Sequence, residues 1–387
     1  MINYFTQCSI VFFIAIFCTS NLYGQKSISE EVKKLPSYLN SSNAGTEYYV
    51  SIHPVLIETL QPTDGCYLYI ASGYKTKVTI ENEFAGTSRQ YQTKPNDCIR
   101  IDLDLKEIQV YVNTNGNSNG HPIETVYPGK AIKITSNDPI IVYACVKISF
   151  TSDAFLVLPT SSWGKEYVVN TYESHDWTMP GRNLASMCTI VAGYDSTTVS
   201  FTLVGNGTTE TVGGMKIGET KQFIMNKGDV VAVASSEIAG STLAGSRIAS
   251  SKPIGVISGV QCADVPSDRP WCDYIIEMEL PVSSWGNTYH LTKNFNRSAG
   301  PYFQVVAKEP NTTIYVNGII LDTLGVKNLT NVAEWKGYNF YGNVWSADKG
   351  NIVVNADKPI SVTMFNQGQS LDNIPNDPFQ TVCYPIE

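Results

Sequence analysis

From Gly45 onward the hydrophobic positions fall into short runs that alternate with polar ones. Val78 and Ile80, and later Val199, Phe201 and Leu203, alternate with polar residues between them. A period of two turns one face of an extended chain towards a core and the other towards solvent, so these runs predict half-buried β-strands. The connections between them are rich in Gly, Asn, Ser and Asp, and no stretch sustains the period of a long helix. The pattern also repeats: Gly45-Thr-Glu-Tyr-Tyr-Val, Gly164-Lys-Glu-Tyr-Val-Val and Gly286-Asn-Thr-Tyr-His-Leu open three units spaced by about 120 positions. Each unit closes on a shared phrase, Asp138-Pro139-Ile140, Lys252-Pro253-Ile254 or Lys358-Pro359-Ile360. Between them, Ile70 to Ile80, Val191 to Phe201 and Val306 to Val316 each predict a β-hairpin. The three prolines are expected at strand starts, where a missing N–H costs least. The fold class that follows is all-β, three repeated antiparallel sandwich or jelly-roll units packed in tandem over 45–159, 160–281 and 282–387. The alternative is one larger pseudo-threefold assembly.

The units meet at junctions of one grammar, Leu158-Pro159-Thr-Ser-Ser-Trp163-Gly164 and Leu280-Pro281-Val-Ser-Ser-Trp285-Gly286. Their equivalent tryptophans, Trp163 and Trp285, predict packing between units. Just before the second junction, Cys262 and Cys272 bracket a polar loop holding Pro266, Asp268, Pro270 and Trp271. A proline-rich loop with a cysteine at each end and strand-like runs outside suits a disulfide-closed excursion from a sheet. The order Lys252-Pro253-Ile254, Ser258-Gly259, Cys262, Val265-Pro266, Cys272-Asp273, Leu280-Pro281, Ser284-Trp285-Gly286 resembles the N-terminal domain of the IgGFc-binding protein family. The resemblance runs from about Gly45 to the C-terminus. It implies an extracellular binding or adhesive role, after a mammalian member that binds immunoglobulin G Fc, and it carries no catalytic motif.

Composition narrows the partners. Charged residues are 16% of the 387, and the net charge is −8 with a pI near 5.1. No cluster of Lys and Arg is present to neutralise phosphates, so nucleic acid is not expected as a partner. Ile10 to Phe17 is an apolar core too short to span a bilayer, and residues 1–24 read as a secretory signal peptide. Residues 25–44 read as a polar lead-in, with a short helix ended by Pro36. No later run reaches membrane-spanning length. Seven cysteines follow Gly24, an odd number that leaves at least one either unpaired or paired with another chain. Besides Cys262 with Cys272, Cys66 with Cys98 is the expected pair; the connectivity of Cys145, Cys188 and Cys383 is open. Sequons at Asn40, Asn206, Asn296, Asn311 and Asn328 are candidate glycan sites, Asn311 at a hairpin turn.

Candidate contact residues cluster in loops. His175, Asp176, Trp177 and Arg182 share one loop after the first strand of the second unit; Phe295 and Arg297 occupy its equivalent in the third. Aromatic and Arg side chains of this kind anchor protein contacts. Trp335 and Trp345 bound the most aromatic loop-like stretch in the chain. His175-Asp176 lacks a nucleophile elbow or an orienting third group, and no carboxylate pair stands out, so no catalytic residues are assigned. No cofactor and no metal site are expected. The sequence therefore reads as a secreted, non-enzymatic binding or adhesion protein whose partner is an extracellular protein or glycoprotein, such as immunoglobulin Fc or mucus and surface glycoproteins. The competing reading is an extracellular carbohydrate-active enzyme or carbohydrate-binding protein.

Overall fold

The computed structural model describes residues 43–55, 64–110, 124–148, 151–174, 184–206, 209–236, 238, 240–265, 267, 271–292, 301–309, 311–324, 338–341, 352–368 and 377–386. The first unit contains β1 (Gly45–Val50), β2 (Gly65–Ser72), β3 (Lys77–Asn82), β4 (Thr87–Gln92), β5 (Asp97–Leu103), the helical turn α1 (Leu105–Ile108), β6 (Val126–Tyr127), β7 (Ile132–Ile148) and β8 (Thr151–Val157). The second contains β9 (Gly164–Val168), β10 (Ser186–Ala192), β11 (Thr197–Thr202), β12 (Thr220–Met225), β13 (Val230–Ala234), β14 (Arg247–Ala263) and β15 (Asp273–Met278). The third contains β16 (Gly286–Leu291), β17 (Tyr302–Ala307), β18 (Thr312–Val316), β19 (Ile319–Leu324), β20 (Tyr338–Tyr341), β21 (Ile352–Phe365) and β22 (Gln380–Cys383). All pairings between these strands are antiparallel, and the three units share one topology.

One long strand organises each unit. The first part of β7, residues 132–136, lies between β1 and β3, with β4 outside β3. Its second part, residues 141–148, lies between β2 and β8, with β5 outside β2. Thus β7 serves both sheets of a sandwich, and β14 and β21 do the same with their equivalents. The alternating residues fill the space between: Val78, Ile80, Val199, Phe201 and Leu203 are all buried.

Two expectations are corrected by this arrangement. The runs either side of Tyr74, and their equivalents, are not hairpins. β2 and β3 never pair, because each takes a different half of β7; β3 with β4 and β18 with β19 are the true hairpins. Nor do Pro139, Pro253 and Pro359 start strands. Each sits inside the long strand, where it passes from one sheet to the other. The register breaks there: Gly45 faces Ile140 while Glu47 already faces Thr135, so the long strand bulges out of its ladder and needs no N–H from proline. The same break separates Gly164 from Glu166 and Gly286 from Thr288.

A tyrosine closes each bulge. The Tyr48, Tyr167 and Tyr289 hydroxyls donate to the carbonyls of Ile140, Ile254 and Ile360, the residues after the prolines. Each hydroxyl also accepts from the backbone N–H of the opening glycine, at 2.7 Å from Gly45, 2.9 Å from Gly164 and 3.4 Å from Gly286. The glycine is required because the proline ending the same unit lies against it. A Cβ on Gly45 or Gly164 would stand 2.4 Å from the Cβ of Pro159 or Pro281. The following tryptophans then lock the junctions: the indoles of Trp163 and Trp285 donate to Leu158 and Leu280 carbonyls at 3.0 and 3.3 Å. Trp163 packs on Gly193 and Gly255 of the second unit, where side chains would collide with its ring.

The units are further tied by β6, which leaves the first unit to pair with β13 of the second, Val126 facing Val231. Tyr167→Phe removes a buried hydroxyl that both donates and accepts, and should cost about 2 kcal/mol in chemical denaturation. Gly164→Ala, which forces its Cβ into Pro281, should cost at least as much; a variant as stable as the parent would show that the clamp is dispensable.

Candidate binding surface around the disulfide loop

Cys262, the penultimate residue of β14, and Cys272, just before β15, form a disulfide with Cα atoms 5.0 Å apart. The β14–β15 register shifts between Val260 and Ala263, so the chain leaves its ladder where the loop begins. The stem is held on several sides. Gln261 donates its N–H to Ala185 O at 3.1 Å and its Nε2 to Val55 O at 3.0 Å, and Gly368 N donates to Val265 O at 2.9 Å. Beside it Tyr172, Tyr302 and Phe365 form an aromatic cluster, Tyr172 meeting Tyr302 edge-on at 5.5 Å and Phe365 at 5.2 Å. Val55, Tyr172 and Tyr302 flank the connections β1–β2, β9–β10 and β16–β17, which are equivalent in the three units. Their ends are therefore gathered about one disulfide, together with the start of the β21–β22 connection at Gly368.

Trp271 stands on this end. It is 71% exposed and holds a φ of 82°, a left-handed conformation that a bulky side chain adopts only under constraint. The neighbouring disulfide supplies that constraint. The Trp271 backbone carbonyl lies 3.7 Å from where a side chain on Gly368 would start, so the two chain segments are in contact distance of each other.

The residues singled out from sequence divide by place. His175, Asp176, Trp177, Arg182, Phe295, Arg297, Trp335 and Trp345 lie outside the described residues, as do Asn40, Asn296 and Asn328. Asn311 is exposed at φ 54° just before β18, in the turn that crosses between sheets rather than in a hairpin. Asn206 is turned inward, its Nδ2 donating to Gly240 O and its Oδ1 accepting from Thr209 at 2.7 Å. The Cys66–Cys98 pairing is corrected: the two are on neighbouring strands but out of register, Cys66 facing Leu103 and Cys98 facing Ala71, and they form no disulfide. Sequence spacing could not reveal that offset. Burial pushes the Cys66 thiol up to about 12, which makes it inert.

Beneath this end the last strands of the three units meet. β15 packs against β8 on one side and β22 on the other. The outward N–H groups of an edge strand need acceptors when they are buried. Here side chains of the neighbouring unit provide them: Tyr274 N donates to Thr151 Oγ1 at 2.6 Å and Ile276 N to Asp153 Oδ2 at 2.9 Å. Asp153 also accepts from Gln380 N, and Glu277 from Val382 N and the Thr381 hydroxyl. Glu279 receives Asn170 N at 2.7 Å and the Ser258 hydroxyl, while Asn170 Nδ2 reaches Ser361 Oγ at 3.2 Å. Burial raises the Asp153, Asp273 and Glu277 carboxyls to about 8 and Glu279 to about 7, opposed in part by these hydrogen bonds.

These carboxyls are sealed between units rather than placed across a cleft, so they do not form a glycosidase pair. An open cleft of about 940 Å³ lies between the first two units, lined by Tyr49, Glu81, Lys133, Asp195 and Lys227 among others. Its lysines are satisfied locally, Lys133 by Glu81 at 3.1 Å and Lys227 by Glu47 at 2.9 Å. It is an open joint between units. His53 is fully buried against the Tyr274 ring, and burial lowers it to about 3, so it stays neutral rather than acting as a base near pH 7. Among the described residues no His, Cys, Asp and Glu group is arranged to hold a metal.

The Cys262→Ser, Cys272→Ser double variant opens a loop closed over a separation of 10 residues. Chain entropy puts the loss at about 3 kcal/mol, read as a lower denaturation midpoint that reduction of the parent protein reproduces.

Comparison with known proteins bears on the family resemblance seen in the sequence. The sequence model of the family described as IgGFc binding protein matches residues 153–387. The human IgGFc-binding protein is 25% identical over 308 residues, covering 78% of this chain and 5% of that protein. The chain thus spans a small fraction of the length of that curated relative. No solved structure matches. With more than half of its length matched, including the disulfide loop and everything after it, the chain belongs to the IgGFc-binding protein family.

Proposed function

We propose that this chain is a secreted, non-enzymatic adhesion module that engages an extracellular protein or glycoprotein through the loops of its disulfide end. The observation that carries the reading is the gathering of three equivalent loop ends about one disulfide, in a chain of this family. A rigid sandwich that presents several loops at one end is a common binding scaffold, because loops accept side-chain variety that strands do not. A disulfide fits an oxidising compartment. Immunoglobulin Fc is the first partner to test, since the human relative is named for it, and mucus glycoproteins are the second.

Trp271 is the described residue best suited to a contact. It is large and exposed, and an indole has only two side-chain torsions to fix, so little side-chain entropy is lost when it is covered. Trp177 and Arg182, in the β9–β10 connection, and Phe295 and Arg297, in the β16–β17 connection, are the partners proposed for the same surface. A second chain joined through the leftover cysteine belongs to the same reading.

The test is surface plasmon resonance of the chain over immobilised Fc and mucus glycoprotein. Binding to one of them is expected, and Trp271→Ala, Trp177→Ala or Arg182→Ala should each weaken it by more than about 1 kcal/mol with an unchanged melting temperature. If neither surface retains the chain, the reading fails. Full-strength binding by all three variants would move the contact to the 335–345 segment.

A further inference from the structure

Four carboxyls lie where the three units join: Asp153 on β8, Asp273 and Glu277 on β15, and Glu279 just after it. Asp273, Glu277 and Glu279 are buried, and Asp153 is half-buried. Among the described residues none has a cation beside it. Asp153 faces Cys145 on β7 and Tyr274, Asp273 and Glu277 on β15. Lys147 on β7 is exposed, and its field bears on Cys145. Asp273 faces further acids, Asp377 and Asp264. Glu277 faces Tyr143 on β7 and Cys383 and Tyr384 at the end of the third unit. Glu279 faces Cys188 on β10 and Tyr167 on β9.

These groups also hold the units together. Asp153 of the first unit takes N–H bonds from β15 and β22, and Glu277 of the second takes them from β22. Tyr274 N donates to Thr151, whose hydroxyl turns to Asp273; the Asp273 Oδ1 has no hydrogen-bond partner. Gln380 Nε2 of the third unit reaches Asn170 O at 2.9 Å, next to Glu279.

We propose that Asp153, Asp273, Glu277 and Glu279 make the junction a pH-sensitive clasp, closed while these carboxyls hold protons and loosened when they ionise. Protonated, they satisfy the edge strands without burying net charge. Ionised, several like charges share a largely enclosed space with no cation among the described residues to offset them, and their full solvation is recovered only if the units part. The clasp does not depend on what the loops bind.

The sign follows from linkage. An unfolded chain has these carboxyls near about 4, whereas in the fold they stand at about 7 to 8. Between those values the folded protein binds more protons than the unfolded one. Stability from these groups is thus fully present below the unfolded value and is lost as pH rises through 7 and 8.

The experiment is thermal unfolding of the whole chain at pH 5.5, 7 and 8.5 at fixed ionic strength. It is paired with protection factors for the Tyr274, Ile276, Gln380 and Val382 amides from hydrogen exchange. The melting temperature should fall by about 5 °C or more across the range, and protection of those four amides should fall with it. Asp153→Asn and Glu277→Gln keep an acceptor oxygen but cannot ionise, so each should flatten that slope. A purely structural role would lower stability in the variants and leave the slope unchanged, which would overturn the clasp. So would a parent protein whose melting temperature and amide protection do not change from pH 5.5 to 8.5, a result that stands even if a variant fails to fold.

Discussion

Each unit depends on a single strand that belongs to two sheets. To pass from one to the other, β7, β14 and β21 must break their ladders, and a broken ladder leaves backbone groups to satisfy. Proline removes one donor at the break. The tyrosine hydroxyl takes up the carbonyl that follows and bonds the opening glycine N–H in the same step. Because the proline ending the unit packs on that glycine, one cluster fixes the bulge, the first strand and the exit to the next unit. The tyrosine, glycine and bulge recur in all three units, and the proline contact in the first two.

The same reasoning explains the polar junction. A sandwich that ends in an edge strand exposes a row of N–H groups, and three such strands brought together in the dark of an interface could pair wrongly or not at all. An apolar seam would leave those donors unmet. Carboxyl and hydroxyl groups from the neighbouring unit meet them one at a time, which fixes the register between units without a continuous sheet. The cost is burial of ionisable groups, and that cost depends on pH.

Much of the architecture was legible because its causes are local. Alternation at Val199, Phe201 and Leu203 gives strands, the repeated openings give three units, and the two cysteines around Pro266 and Pro270 give the staple. What was not legible depends on where distant segments meet. Nothing near Tyr74 tells whether the next run pairs with the last or crosses to the opposite sheet; that choice belongs to β7, dozens of residues later. Pro139 looks like a strand start because proline is normally excluded from strand interiors, and only the Gly45–Ile140 register reveals the bulge that admits it. Asn317-Gly318, at φ 49° and 80°, was a local hairpin signal that could have been read between β18 and β19. For the site, the Cys66–Cys98 offset and the carboxyls of the junction were beyond reach, since neither a strand register nor burial between units is written in spacing.

The candidate binding surface and the carboxyl junction meet at the β14–β15 turn. The strand that supplies Cys262 also carries Ser258, which binds Glu279, and the strand that follows Cys272 carries Asp273 and Glu277. The surface bearing Trp271 and the sealed carboxyls beneath it are thus separated by only a few residues of backbone on each side. A disulfide across that turn stops the loop from following the junction if the units shift, because it ties the two strand ends at a fixed distance. The ends at Val55, Tyr172 and Tyr302 have no such tie and reach the stem through a hydrogen bond and aromatic contacts. Relative movement of the units would change the spacing of those three loops before it changed the disulfide loop itself.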